Sequence, residues 1–226
     1  EGFTFDVDAI KKPFSDWKKL SIGALMYLLP FLNFLTGFIG RGYTLECAKH
    51  HNKKLPVWKK FWQLFVRGVV MVVVGLIYAL PFLIVLSVML GSALAENVTA
   101  TMSEEAFVAF LESTFVAMGF QIVLLLLLMA FTIYCIPMAL MHYMQHYKFG
   151  DAFQLNSILQ KVFSVKYLIT CIVIVAYTFV LSGVAGLLSG LTKITVVLPY
   201  VINAYFSIIT GITSMTMFGE VYKELK

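Results

Sequence analysis

The side chains able to carry chemistry are few, and their spacing decides what they can do. His142 and His146 stand at i and i+4, on one face of a helix, while Cys47, His50 and His51 cluster in one short stretch. Imidazole and thiolate together suit zinc or copper. No carboxylate or further cysteine is expected beside them to complete a ligand set, so they are read as interfacial histidines near Tyr143 and Tyr147, with no metal and no cofactor. Paired carboxylates, an H-E-x-x-H motif and a Ser/His arrangement are all missing from the sequence. The interiors of the four clear apolar spans hold no Asp, Glu, Lys or Arg. Proton relays and ion-coupled transporters require such groups, so the chain is expected not to be an enzyme or an ion-coupled carrier.

The last span carries the clearest pattern. Thr195, Pro199, Asn203, Ser207, Thr210 and Ser214 recur at helical intervals along its whole length. Such a stripe either lines a conduit or hydrogen-bonds to neighbouring helices, and packing is the favoured reading. In the preceding span Ser182, Gly186 and Gly190 form a small-residue stripe that admits close approach of another helix, as do Ser87, Gly91 and Ala95 earlier. Pro30, Pro81, Pro137 and Pro199 free the carbonyls of Met26, Ile77, Ile133 and Thr195, which neighbouring Ser, Thr or Tyr hydroxyls are expected to satisfy.

What positions these residues follows from composition. A 60% hydrophobic, 13% charged chain with mean hydropathy +0.88 lies outside the range of soluble domains. At roughly 20 residues per span, four to six spans use most of the 226 residues, leaving a single membrane domain over 1–226. The fold class is all-α: a polytopic helical membrane protein with four clear transmembrane helices, an N-terminal kinked or re-entrant apolar segment, and two to three interfacial amphipathic helices. The net charge of +5 is concentrated on one flank of the membrane, which points to anionic lipid headgroups and not to nucleic acid. Cys47, Cys135 and Cys171 are too widely spaced for a disulfide framework or a zinc motif. No stretch before Leu20 has the apolar core of a signal peptide, so the spans themselves are expected to act as the targeting signal.

Residues 1–20 are read as an interfacial helix interrupted near Pro13, with Ile10, Phe14 and Trp17 on its apolar side and its lysines mostly elsewhere. Residues 22–48 hold the first apolar segment. It is either one kinked span or a hairpin turning at Pro30, Phe31, Leu32 and Asn33, and lysines on both flanks favour the hairpin. Residues 55–66 are read as a second interfacial helix starting near Pro56, with Trp58, Phe61, Trp62 and Phe65 on one side. Lys53, Lys54, Lys59, Lys60 and Arg67 are its expected headgroup contacts.

A span over 67–90 leads into an acidic segment, 91–117, expected outside the cell because no Lys or Arg occurs between Arg67 and Lys148. That segment contains Asn97 in an N-x-[ST] triplet, a possible glycosylation site. Thr101 and Glu104 have capping-box spacing, and a helix running from Ser103 to His142 would be about 60 Å long. The next span covers 118–147. Residues 151–162 are read as an interfacial helix capped by Asp151 and Gln154, with Ala152, Leu155, Ile158, Leu159 and Val162 as its apolar face. Spans over 166–191 and 194–219, joined by a turn at Thr192 and Lys193, bring the C-terminus back to the cytoplasmic side. The order of elements and a Tyr-x-x-Pro signature at Tyr27, Tyr78 and Tyr134 suggest two related halves, 22–90 and 119–191.

The run Pro13-Phe14-Ser15-Asp16-Trp17-Lys18-Lys19 before Ile22-Gly23, then Leu29-Pro30-Phe31-Leu32-Asn33-Phe34, Gly42-Tyr43 and Leu55-Pro56-Val57-Trp58, resembles the membrane proteins catalogued as domain of unknown function 4013, frequent in archaea. Phe149-Gly150-Asp151-Ala152-Phe153 and Gly219-Glu220-Val221-Tyr222 are similar as well. The resemblance covers most of the chain and implies a small multi-spanning membrane protein; it brings no activity and no catalytic residues.

The expected function is therefore association: a structural or accessory subunit, a scaffold, or a homo-oligomer in the cell membrane, with lipids and other membrane subunits as partners. The alternative is a transporter or channel-like protein for an uncharged or lipid-like solute. An enzyme acting on lipid would need a site around His50, His51, His142 and His146.

Overall fold

The computed structural model describes residues 7–28, 33–50, 53–97, 119–191 and 197–225, together with residues 103, 105, 108, 109 and 112. Helix α1 (Val7–Lys11) passes through a 3-10 turn (Lys12–Ser15) into α2 (Trp17–Leu28), followed by α3 (Asn33–Lys49) and the long α4 (Phe61–Asn97). Beyond these lie α5 (Gly119–His146), a 3-10 turn (Phe149–Phe153), α6 (Leu155–Val162), α7 (Val165–Leu191) and α8 (Val197–Glu224). The fold is all-α. Among the described residues four helices are long and apolar enough to cross a membrane, Phe61–Met89, Gly119–His146, Val165–Leu191 and Val197–Glu224. This is a multi-pass membrane protein.

The chain divides into two compact units, Glu1–Val74 with Pro137–Lys226, and Gly75–Ile136. In the first, α8 is the central helix, packed against α2, α3 and α7. It is the least apolar of the four spans, and 44% of its most apolar window is buried against 6% for α4. A helix surrounded by protein tolerates polar residues that a lipid-facing helix does not. The core gathers Leu20 and Ala24 of α2, Tyr43 and Cys47 of α3, Leu64 of α4, and Ala204, Ile208, Ile209 and Ile212 of α8, with Leu55 and Trp58 inserted from the segment before α4. In the second unit, Thr132 of α5 donates to the Tyr78 carbonyl of α4 at 3.2 Å.

The first apolar segment is a hairpin of two helices. Thr36 Oγ1 of α3 donates to the Met26 carbonyl of α2 at 2.7 Å, and Lys12 Nζ reaches the Cys47 carbonyl at 2.6 Å, so the pairing runs antiparallel. The Met26 carbonyl is the one Pro30 cannot engage, and a threonine hydroxyl satisfies it. The turn itself, residues 29–32, lies outside the described residues, as do Thr101, Glu104, the 192–193 turn and the stretch 113–118. The 22–90 half therefore opens with a helical hairpin and the 119–191 half with one uninterrupted helix, so the two halves are not built alike.

Three expected interfacial elements are revised. Residues 55–60 are non-helical, and no separate helix covers 55–66; α4 begins at Phe61 and continues through the span. The cause is tertiary. The Leu55 N–H donates to Ser15 Oγ at 3.1 Å, its carbonyl accepts from Lys19 Nζ at 2.9 Å, and the Pro56 carbonyl accepts from the Tyr43 hydroxyl at 2.9 Å. With these groups already satisfied, and Pro56 donating nothing, a first helical turn has little to gain. Trp58 is consequently buried, stacked on Tyr43 at 3.7 Å between centroids, its indole N–H on the Lys19 carbonyl, whereas Phe61 and Trp62 stay exposed.

Near the N-terminus, Lys12 is buried instead of facing headgroups, because its ammonium closes the C-terminal end of α3 by donating to the Cys47 and His50 carbonyls. Asp16 caps α2 by accepting the Lys19 N–H at 3.2 Å. In the third element, Asp151 belongs to the 3-10 turn and α6 starts only after Gln154. Ala152, Ile158 and Val162 are buried as expected, while Leu155 is exposed.

Candidate functional site

The two stripes read from the sequence meet. Ser182 and Gly186 of α7 and Asn203, Ser207 and Thr210 of α8 line one groove of about 480 Å³, with Thr178, Ala185, Phe206 and Gly211 completing it. The periods explain the convergence: side chains four residues apart on each helix face the same way, and α7 packs along α8. Asn203 and Ser207 are exposed in it, and Thr210 is half-buried. Asn203 Nδ2 donates to the Pro199 carbonyl at 2.8 Å and reaches Ser189 Oγ at 3.5 Å.

Further hydrogen bonds tie α8 to its neighbours: Tyr205 meets Ser21 of α2 at 2.7 Å, and Thr213 meets Tyr177 of α7 at 3.3 Å. Asn203 thus touches α7 through Ser189, and Asn203, Ser207 and Thr210 all open onto the groove. Ser214 is half-buried beyond the groove lining, and Thr195 lies outside the described residues. Among the described residues no helix closes on the small-residue stripe of α7: a Cβ added at Gly183, Gly186 or Gly190 would meet no described atom within 4 Å, nor would one at Gly91. Close helix approach occurs elsewhere. A Cβ at Gly42 would strike the Leu64 carbonyl, one at Gly68 the Phe38 carbonyl, and one at Gly219 the Ala48 carbonyl at 2.5 Å.

A second polar centre joins α3, α4 and the residue after α5. Glu46 accepts from Arg67 and, at 2.8 Å, from the Tyr147 hydroxyl on the same oxygen, while its other oxygen lies 3.0 Å from His50 Nε2. Burial pushes the Glu46 carboxyl up, but the Tyr147 hydroxyl, Arg67 and His50 outweigh it and hold it below the ordinary range. Burial and the bond to Glu46 raise the Tyr147 phenol. Tyr147 has φ 55°, a left-handed residue that ends α5 and brings its ring under Arg67 and Lys49. Arg67 is 19% exposed and bound to Glu46. Lys53 pairs with Asp8 at 2.7 Å, whereas Lys54, Lys59 and Lys60 are exposed.

The histidines do stand beside carboxylates, contrary to the sequence reading: His50 beside Glu46, and His146 Nδ1 3.0 Å from Asp151. His142 lies between Gln154 Oε1 at 3.0 Å and the Tyr222 hydroxyl at 2.6 Å. Among the described residues no three His, Cys, Asp or Glu side chains are grouped for a metal. His51 lies outside them, as does the Asn97 side chain with the rest of its triplet. Glu46, which the sequence reading passed over, carried a signal: it is the sole acidic residue between Asp16 and Glu96, in a stretch rich in lysine.

No curated protein matches the chain, and no solved structure matches it. The model of one family, described as proteins of unknown function (DUF4013), matches residues 25–190, from α2 through α7 and including Glu46, Arg67 and Tyr147. That match covers well over half of the sequence, and the chain belongs to this family.

Proposed function

We propose that the protein is a non-enzymatic membrane component that works by association, as a structural or accessory subunit or a homo-oligomer, and that the α7/α8 groove receives a helix of a second chain. One observation carries the reading. Asn203 and Ser207 are exposed in a groove whose α7 wall offers Ser182 and Gly186 and no covering side chain at Gly183, Gly186 or Gly190. Polar side chains exposed in hydrocarbon gain from further hydrogen-bond partners, and small residues are where transmembrane helices approach closely enough to supply them. Positive flanks at residues 49–67 and 148–166 support a cytoplasmic side for those segments and for the C-terminus.

The test is the particle mass in native detergent, with co-purifying chains identified. Gly186→Leu, whose Cβ meets open space and whose side chain would occupy the groove, is expected to reduce the particle to a single chain; an unchanged assembly would overturn the proposal. A second reading, passage of an uncharged or lipid-like solute, draws on the same Asn203, Ser207 and Thr210 lining. Under it, Asn203→Leu abolishes flux in proteoliposomes while the particle mass is unaltered.

A further inference from the structure

We infer that the pocket at the start of α4 is a binding site for a phosphomonoester anion. The pocket has a volume of about 480 Å³, and Lys54, Lys59, Lys60 and Gln63 line it beside Tyr43 and Glu46. Its charge is lopsided. Glu46 is the acidic lining residue, and Arg67, Tyr147 and His50 already occupy its oxygens. Among the described residues none of Lys54, Lys59 and Lys60 is ion-paired, so three ammonium groups share a concave site with no countercharge of their own. Like charges so arranged repel one another unless an anion sits among them, and a doubly charged phosphate accepts from several ammonium groups at once.

The site is also built to hold its shape. Residues 55–60 are fixed by the bonds of Leu55 and Pro56 to Ser15, Lys19 and Tyr43, and by the Trp58 stack. Lys60 adopts the left-handed φ of 57° at the turn from this non-helical segment into α4, a conformation costly for a side chain with a Cβ. The four backbone positions that carry Lys54, Lys59, Lys60 and Gln63 are thus set before any ligand arrives, which lowers the cost of binding.

The phosphate can come from a lipid headgroup or from solution, and the surroundings favour the headgroup. Phe61 and Trp62 are 46% and 74% exposed at the first turn of a membrane-spanning helix, where aromatic residues mark the headgroup level. This inference is independent of the α7/α8 groove.

The experiment uses the full chain in detergent, reading melting temperature and apparent affinity against three probes: dihexanoyl phosphatidic acid, dihexanoyl phosphatidylcholine and inorganic phosphate. Phosphatidic acid is expected to stabilise the protein where phosphatidylcholine does not. The triple variant Lys54→Gln, Lys59→Gln, Lys60→Gln is expected to bind it on the order of tenfold more weakly or worse. A charge-matched control, Lys11→Gln, Lys148→Gln, Lys223→Gln, should bind as the wild type does. Equal stabilisation by inorganic phosphate supports the site with a soluble source. Phosphatidylcholine binding as well as phosphatidic acid, or phosphatidic acid binding that survives in the triple variant, would overturn the proposal; unliganded melting of the variant at the wild-type temperature shows that its fold is intact.

Discussion

The Arg67 guanidinium carbon lies 3.8 Å from the centroid of the Tyr147 ring, and both side chains reach the same oxygen of Glu46. Two residues 80 positions apart in the chain therefore share one carboxylate, and with it α3, α4 and the end of α5 are tied together. Arginine suits this place because its planar guanidinium can stack on a ring while its N–H groups point at an anion.

Glu46→Gln is expected to destabilise the protein by about 2 kcal/mol, because it leaves the largely buried Arg67 without its countercharge. The pH dependence follows from the lowered carboxyl. A group that ionises more readily when folded contributes its stability in full above its unfolded value of 4.5, and loses it as pH falls through the folded one. Melting curves on the acid side should fall more steeply for wild type than for Glu46→Gln. Parallel curves would mean that Glu46 titrates as an ordinary carboxylate.

At the other end of α3, Lys12→Met should cost roughly 2 kcal/mol, since the Cys47 and His50 carbonyls lose a charged donor in a buried setting. Burial lowers the Lys12 ammonium, and the neighbouring Cys47 and Glu220 oppose that shift. In the window between that lowered value and 10.5 the unfolded chain holds more protons, so this residue's contribution grows as pH rises through it. The gap between wild type and Lys12→Met should widen on the alkaline side; a constant gap would leave Lys12 with no shift to explain.

The spans were legible because their signal, a long apolar run, needs no partner to be recognised: all four appear close to where hydropathy places them. The polar stripe and the small-residue stripe were also visible as periods, but each is blind to what faces it, so their meeting in one groove could be seen only once α7 lay against α8. The segment around Trp58 misled for a related reason. Aromatic and basic residues at helical spacing fit an amphipathic helix, yet Tyr43, Lys19 and Ser15, distant in sequence, take up the backbone bonds that a helix would have made. Tertiary competition of this kind leaves no trace in a local window.

That competition makes a sharp contrast between two neighbouring indoles. Trp58→Ala should destabilise by about 3 to 5 kcal/mol through loss of a buried, stacked side chain, while Trp62→Ala, 74% exposed, should leave thermal stability in detergent nearly unchanged. Similar losses for both would restore the interfacial helix over 55–66.

Glycines separate in the same way. Gly42→Ala and Gly68→Ala place a methyl group against the Leu64 and Phe38 carbonyls, where backbone of α3 and α4 would have to move apart, and each is expected to cost about 2 kcal/mol or more. Gly186→Ala and Gly190→Ala meet open space within the chain and remove a poor helix former, so the single chain should gain up to about 1 kcal/mol. Thermal melts of the four variants in detergent check both halves of the argument. Destabilisation at Gly186 confined to the assembled particle, and absent in the isolated chain, would place the second helix in the groove itself.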